Sequence, residues 1–169
     1  MAGNVALMEG NVGEAVRNLQ LAYDEKMVAG DPAGASTTAT ALAEAYLESG
    51  DLEQAQAYAA NARETASRDD FAAQGRSRQI QARVLSAHGR HADAEALARE
   101  AVAIVADTDY LAIHGDALVH LGRVLQAAGN AAGAIAAAEE AAELYERKGA
   151  TFLVDRTRNL AREWSGAET

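Results

Sequence analysis

The stretch "SGDLEQAQAYAANA", from Ser49 to Ala62, sets the pattern of the whole chain. Gly50 is followed by alanine after five and after twelve residues, at Ala55 and Ala62. Self-similarity at a period of 20 to 50 residues is the signature of a repeat array. The same offsets recur three more times, in the sets Gly10, Ala15 and Ala22; Gly89, Ala94 and Ala101; and Gly129, Ala134 and Ala141.

Each repeat contains the signals for two helices. Asp31 is a suitable N-cap with Pro32 in the first helical position, and Gly50 suits the left-handed residue that ends a helix. Asp51 and Gln54 then form the capping box of the next helix. Short connections predict antiparallel neighbours. The predicted helices cover about 2–9, 12–29, 32–49, 52–67, 70–88, 91–106, 109–128, 131–147 and 150–165.

Small residues recur where the two helices of a repeat would meet. The repeated alanines of each second helix are seven residues apart and therefore lie on one face. A third small site recurs in the first helices, at Ser36, Gly75 and Gly115. We interpret all three sites as positions where helix backbones pack closely. The pattern is degenerate in places, since Arg90 is a poor N-cap and Gly133 stands where a capping-box partner would be.

The composition favours an all-α protein and narrows the classes of partner. Of 169 residues 49% are hydrophobic, mostly alanine, with a single proline and no cysteine. A formal net charge of −10 disfavours nucleic acid and anionic membranes, which are bound mainly through Lys and Arg. No apolar run reaches the roughly 20 residues that span a bilayer, and the N-terminus lacks the features of a signal peptide. These features predict a cytoplasmic protein.

Catalytic and metal-binding signatures are absent from the sequence. His88 and His91 straddle Gly89, and His114 and His120 are six residues apart, so neither pair shares a helical face. There is no HExxH motif and no glycine-rich phosphate loop. No serine has a histidine and an acid predictably near it. We therefore predict no catalytic residue, no metal and no cofactor, and hence no enzyme.

The repeats resemble the tetratricopeptide (TPR) family. Its pattern places a large apolar and a small residue side by side in the first helix, then an aromatic or large apolar residue, the turn glycine and alanines. The matching residues are Leu42, Ala43, Tyr46, Gly50, Ala55, Ala59 and Ala62 in the second repeat, and Leu121, Gly122, Leu125, Gly129, Ala134, Ala138 and Ala141 in the fourth. The third repeat departs from the pattern at Gln81, and the period exceeds the family's typical 34 residues. The resemblance implies an all-α, right-handed α-solenoid of helix hairpins.

The resemblance also implies a protein-binding scaffold, in which the first helices of successive repeats line a groove for a peptide or partner domain. Arg76, Arg83 and Arg123 would place guanidinium groups there, which suit an acidic peptide or a C-terminal carboxylate. The structural alternative is that Glu44 and Glu48 pair with these arginines. The groove positions are Thr37, Thr40, Glu44, Leu47 and Glu48 in the second repeat, Arg76, Gln79, Arg83, Ser86 and Ala87 in the third, and Asp116, Val119, Arg123, Gln126 and Ala127 in the fourth.

The repeats predict one domain over 1–169, with units at about 1–29, 30–67, 68–106 and 107–147 and a capping helix at 150–165. Leu153, Leu160 and Trp164 would form the apolar face of that cap, with Phe152 beside it. The long period is similar to repeats in large bacterial signalling proteins that join an ATPase, cyclase-like or DNA-binding domain to a TPR array. An alternative function is homo-oligomerisation through the uncapped N-terminal helices, by way of Val5, Leu7, Met8 and Val12.

Overall fold

A computed structural model describes residues 11–67 and 69–166, and this part of the chain consists of eight α-helices without a strand. The observed ends agree with the predicted ones to within two residues, and the all-α prediction is confirmed. The predicted helix at 2–9 lies outside the described residues. The helices are α1 Val12–Val28, α2 Pro32–Ser49, α3 Leu52–Thr65, α4 Phe71–Ala87, α5 His91–Ala106, α6 Leu111–Ala127, α7 Ala131–Lys148 and α8 Thr151–Trp164.

The turn after α2 shows how the repeated glycine ends a helix. Gly50 has φ 82°, a left-handed conformation that other residues adopt at a cost. Its N–H donates to the Leu47 carbonyl at 3.2 Å, and the Asp51 N–H reaches back to the Tyr46 carbonyl at 2.9 Å. This pair of bonds is the Schellman motif, which satisfies carbonyls that the helix end would leave without partners. Four more turns of the same kind follow α1, α4, α6 and α7, at Gly30, Gly89, Gly129 and Gly149.

Short polar side chains begin most of the helices. The Asp51 carboxylate accepts from the Gln54 N–H at 3.1 Å, and the Asn130 side-chain oxygen accepts from the Gly133 N–H at 2.9 Å. Arg90 makes no capping bond, as expected, and instead pairs with Asp93 at 2.7 Å. Each cap satisfies one N–H that has no partner within its helix. The local sequence therefore fixes where the helices start.

The chain divides into two compact units, Met1–Val84 and Leu85–Thr169. In the first unit α2 packs on both α1 and α3. Leu42 is fully buried in a cluster with Leu19 and Ala45. A second cluster joins α2, α3 and α4 and contains Ala43, Leu47, Ala55, Ala59, Ile80 and Val84.

In the second unit α7 packs between α6 and α8. Its core contains Leu118, Leu144, Tyr145 and Val154. The capping helix α8 buries Val154 and Thr157, whereas Leu153, Leu160 and Trp164 are half-buried and Phe152 is 64% exposed. The most buried residues of α8 are therefore Val154 and Thr157, and not the three residues that the sequence predicted for its apolar face.

The repeated alanines are buried in both units, as predicted, apart from Ala22 of α1, which is half-buried. In α3, α5 and α7 they are at most 1% exposed, and this includes Ala55, Ala62, Ala94, Ala101, Ala134 and Ala141. Ser36, at the third small site, is fully buried, and its hydroxyl donates to the Ala62 carbonyl at 3.0 Å. At the equivalent Gly115, an added Cβ would lie 2.7 Å from a ring carbon of Tyr145. Small residues are needed at these sites because a neighbouring side chain or backbone already occupies the space.

Candidate interaction surface

The predicted groove positions on α2 divide into internal and solvent-facing residues. Thr40 is 5% exposed, and its hydroxyl donates to the Ser36 carbonyl within the same helix. Leu47 is 7% exposed and belongs to the hydrophobic cluster shared with α3 and α4. Glu44 is half-buried and Glu48 is exposed. Thr37 is exposed as well, so Thr37 and Glu48 are the predicted positions of this helix that reach solvent most.

On α4 the predicted positions Arg76, Gln79 and Arg83 are spaced three and four residues apart, which places them on one face of the helix. Arg83 Nη1 lies 2.7 Å from Glu48 Oε1, so the two helices are joined by an ion pair. The structural alternative considered for the arginines is thus observed at Glu48 and Arg83. Arg76, one end of the row, is exposed.

Gln79 is a buried polar residue on the same face of α4. Its side chain is 2% exposed, and Nε2 has no hydrogen-bond partner among the described residues. A buried donor left without an acceptor costs about 1–3 kcal/mol, so such groups are rare and need an explanation. Gln81, which replaces the expected leucine, differs because its amide oxygen accepts from Arg63 Nη1 at 3.4 Å.

In the second unit the predicted positions lie along α6. Asp116 Oδ1 accepts a hydrogen bond from the Tyr145 hydroxyl at 2.7 Å, which links α6 to α7. Val119 packs against the core cluster of this unit, and Arg123 is half-buried. Gln126 has a buried side-chain oxygen that accepts no hydrogen bond from the described residues. The face therefore combines internal contacts with a polar atom that has no hydrogen-bond partner among the described residues.

Unused polar atoms coincide with the predicted groove positions. The buried atoms that lack a hydrogen-bond partner in the described residues include Gln79 Nε2, Ser86 Oγ and Gln126 Oε1. All three residues belong to the first helices of their repeats, and Ser86 and Gln126 hold equivalent positions 40 residues apart. Further atoms of this kind are found on histidines. The resemblance to the TPR family predicted that these residues lie on the groove, but which of their atoms lack partners among the described residues is visible only in three dimensions.

Two further features concern metal binding and membrane crossing in the part of the chain that the structure describes. Within 11–67 and 69–166, no three His, Asp or Glu side chains come together as candidate metal ligands. No helix in that part is both long and apolar enough to cross a membrane. The predicted groove positions that are exposed or half-buried include carboxylates and guanidinium groups, which form ion pairs and hydrogen bonds with polypeptides; they are Glu44, Glu48, Arg76, Arg83 and Arg123.

A tyrosine cluster in the first unit escaped the sequence analysis. The rings of Tyr46 and Tyr58 are stacked with centroids 5.6 Å apart, and Tyr23 meets Tyr58 edge-on at 5.5 Å. The hydroxyls of Tyr23 and Tyr58 donate to Asn61 and Gln20, which ties α1 to α3. Burial, followed by the neighbouring Tyr58 and Asp51, raises the pKa of Tyr46 above its usual value. No spacing rule joins these tyrosines, since they come from three helices.

Comparison with known proteins shows what the helical repeats of this chain are similar to. Residues 115–148, which cover most of α6 and all of α7, match the family model for the tetratricopeptide repeat. The chain carries a TPR repeat. No curated protein matches the chain.

Solved structures extend the likeness from one TPR repeat to the fold. The crystal structure of a kinesin light chain-like protein of Podosopora anserina, with nearly identical TPR-like repeats, aligns over 96% of this chain and 92% of its own, at 20% identity and a TM-score of 0.62. A single-substitution variant of it aligns over the same shares, at 19% identity and a TM-score of 0.61. MamA aligns over 98% of this chain and 93% of its own, at 19% identity and a TM-score of 0.48. The kinesin light chain-like structures, at TM-scores of 0.62 and 0.61, confirm the TPR-like, all-α fold.

Proposed function

We propose that the chain is a non-catalytic protein–protein interaction module, which binds a peptide or a partner domain through the predicted groove faces of α2, α4 and α6. TPR-like repeats generally serve as scaffolds for protein partners. The observation that carries the proposal is the set of charged side chains at the predicted groove positions, where Glu48 and Arg76 are exposed and Arg83 and Arg123 are half-buried.

The surrounding charges favour a polar partner surface. Glu48 and Arg83 are paired with each other but reach solvent, with side chains 42% and 19% exposed. Mutations of charged groups at the edge of an interface change association rates and salt dependence, whereas mutations of buried hydrogen-bonded charges change affinity. The ion pair of Glu48 and Arg83, which reaches solvent, is of the first kind. As in the bacterial regulators that the long repeats resemble, binding here would be coupled to another domain of a larger protein.

The test is selection from a random peptide display library, followed by titration of the selected peptides. We expect the wild-type chain to select peptides that bind about ten-fold or more weakly to the Arg83→Glu and Arg123→Glu variants. Arg99→Glu is the matched control: Arg99 lies on α5 outside the predicted groove and pairs with Glu95 at 2.9 Å. Circular dichroism checks that each variant is folded. Equal affinities for wild type and both groove variants would rule out this surface.

Homo-oligomerisation is the second candidate function, and the exposed apolar residues of α1 favour it. Leu21, Met27 and Val28 are 65%, 54% and 90% exposed. Of the residues predicted for this contact, Val12 is half-buried, and the others lie outside the described residues. Sedimentation equilibrium over a wide concentration range tests the idea. Dimers that dissociate on Leu21→Glu substitution would support it, and a monomer at every concentration would end it.

A further inference from the structure

Helix α4 buries more polar side chains than the other described helices. Seven buried residues of the described part of the chain are polar, and four of them lie on this helix. They are Ser77, Gln79, Gln81 and Ser86, with exposed fractions of 9% or less. Burying a polar group costs free energy unless hydrogen bonds replace those that it made with water. The hydrogen bonds of these four side chains therefore affect how firmly α4 is held.

Few of these polar groups are well paired. The Ser77 hydroxyl donates to a carbonyl of its own helix at 3.2 Å. The Gln81 amide oxygen accepts from Arg63 Nη1 at 3.4 Å, which is long for a hydrogen bond. Gln79 Nε2 and Ser86 Oγ have no hydrogen-bond partner among the described residues. A buried group that has lost its water and gained no partner destabilises the folded state, so these groups weaken the packing of α4.

Helix α6, the equivalent helix one repeat later, has a more apolar inner face. Forty residues after the first three of these polar residues stand Ala117, Val119 and Leu121. Helix α4 buries two large apolar side chains, Ile80 and Val84, whereas α6 buries four. The stabilisation from apolar burial grows with the area removed from water. Helix α4 therefore gains less from burial than α6 does.

The apolar contacts of α4 show what its opening would uncover. Ile80 and Val84 belong to one apolar cluster with Leu47 of α2 and Ala59 of α3. The boundary between the two compact units of the chain falls inside α4, after Val84. Cooperative units of opening often coincide with compact parts of a structure, and parts with few buried apolar contacts open first. Both conditions are met at α4.

We propose that α4 is a built-in opening point of the repeat array. The helix leaves its packed position far more often than the whole chain unfolds, and it thereby uncovers the apolar residues of α2 and α3. Gln79 and Gln81 set how often this happens, because both place a polar amide where an apolar side chain would hold the helix more firmly. The opening needs no bound partner. A protein that binds the uncovered residues would increase the population of the open form.

Thiol labelling measures the opening directly, because the chain has no cysteine of its own. Val84 and Val124 hold equivalent positions on α4 and α6, 40 residues apart, and are 4% and 1% exposed. The Val84→Cys and Val124→Cys variants are each mixed with a thiol-specific dye under native conditions. Labelling of the Val84→Cys variant is expected to be about ten-fold or more faster, since a buried thiol reacts only when its helix opens. Equal labelling rates of the two variants would refute the proposal.

Substitutions at the polar positions test what controls the opening. Gln81→Leu introduces the residue found at the equivalent Leu121 and should slow labelling of the Val84→Cys variant about five- to thirty-fold. Gln79→Leu should slow it as well, since it removes a buried donor that has no partner among the described residues. Gln56→Leu, at an exposed position of α3, is the matched control and should leave the rate unchanged. Unchanged or faster labelling in both buried variants would contradict the role of the glutamines.

Hydrogen exchange of the wild-type chain makes the same comparison without any substitution. The backbone amides of α4 should exchange faster than those of α6. Their exchange should also depend less on low concentrations of urea, because a local opening exposes less surface than global unfolding does. Equal protection of the two helices, or an equal dependence on urea, would show that α4 opens only when the whole chain unfolds and would overturn the inference.

Discussion

Replacing Gly115 by alanine tests why the third small site of each repeat must be small. Gly115 is buried in α6, and a Cβ there would lie 2.7, 2.8 and 3.1 Å from three ring carbons of Tyr145. The ring cannot easily move, because Tyr145 is 2% exposed and its hydroxyl is bonded to Asp116. The new methyl group must therefore displace a packed aromatic ring or separate α6 from α7.

Two opposing effects set the size of the change. Alanine is favoured over glycine inside a helix by about 1 kcal/mol. Overpacking a well-filled core costs about 1–3 kcal/mol, and two contacts below 3.0 Å place this site in the upper part of that range. The net expectation for Gly115→Ala is a loss of about 1–2 kcal/mol in the free energy of unfolding. For a chain of this size that corresponds to a melting temperature lower by roughly 2–8 °C.

The assay is urea and thermal unfolding followed by circular dichroism, with two comparison variants. Gly13→Ala is the matched control, because the nearest atom to its new Cβ is a guanidinium nitrogen of Arg17 at 3.8 Å. It should gain up to about 1 kcal/mol from helix propensity alone. In a Tyr145→Leu background, Gly115→Ala should likewise become neutral or stabilising. A stabilising Gly115→Ala in the wild-type chain would refute the steric argument.

Two further predictions concern the first unit. Ser36→Ala removes the buried hydrogen bond to the Ala62 carbonyl and should lower the free energy of unfolding in urea by about 1 kcal/mol. Thr37→Ala, at an exposed position, should change it by less than about 0.5 kcal/mol. Equal effects of the two substitutions would contradict a stabilising role of the Ser36 hydrogen bond. The raised pKa of Tyr46 should make the folded state lose stability as the pH rises from the normal tyrosine range, about 10, through the folded-state value. Tyr46→Phe should flatten this alkaline decline relative to wild type, and an identical decline in both would show that Tyr46 is not its source.

The helices were predictable because their ends are decided by neighbouring residues. Gly50 requires only its own left-handed φ and bonds to residues a few positions earlier. Asp51 likewise caps α3 through an N–H three residues away. Interactions between residues only a few positions apart can be recognised from the sequence alone. The repeated alanines were predictable for a similar reason, since seven residues always return to the same helical face.

Contacts between distant residues could not be predicted in this way. Asp116 was placed on the groove by its position in the repeat, but its bond to Tyr145 comes from a residue 29 positions later. Gln81 stood out only as a departure from the family pattern, and its contact with Arg63 required the packing of α3 on α4. Phe152 was expected beside the apolar face of the capping helix, yet the way in which α8 packs leaves it exposed to solvent. Which residues contact each other across helices depends on how the helices pack, and the periodicity of the sequence does not reveal it.

The buried alanines of α3, α5 and α7 have a consequence for the entropy of folding. A long side chain that becomes fixed at a helix contact loses about 1.5–2 kcal/mol of rotamer freedom, whereas alanine has none to lose. Helices that meet through alanine therefore associate without this loss, although each contact buries little apolar area. The contact also has no alternative rotamers in which to settle. Because of the alanines at these fixed offsets, the two helices pair with no loss of side-chain entropy at those positions and in one packing arrangement.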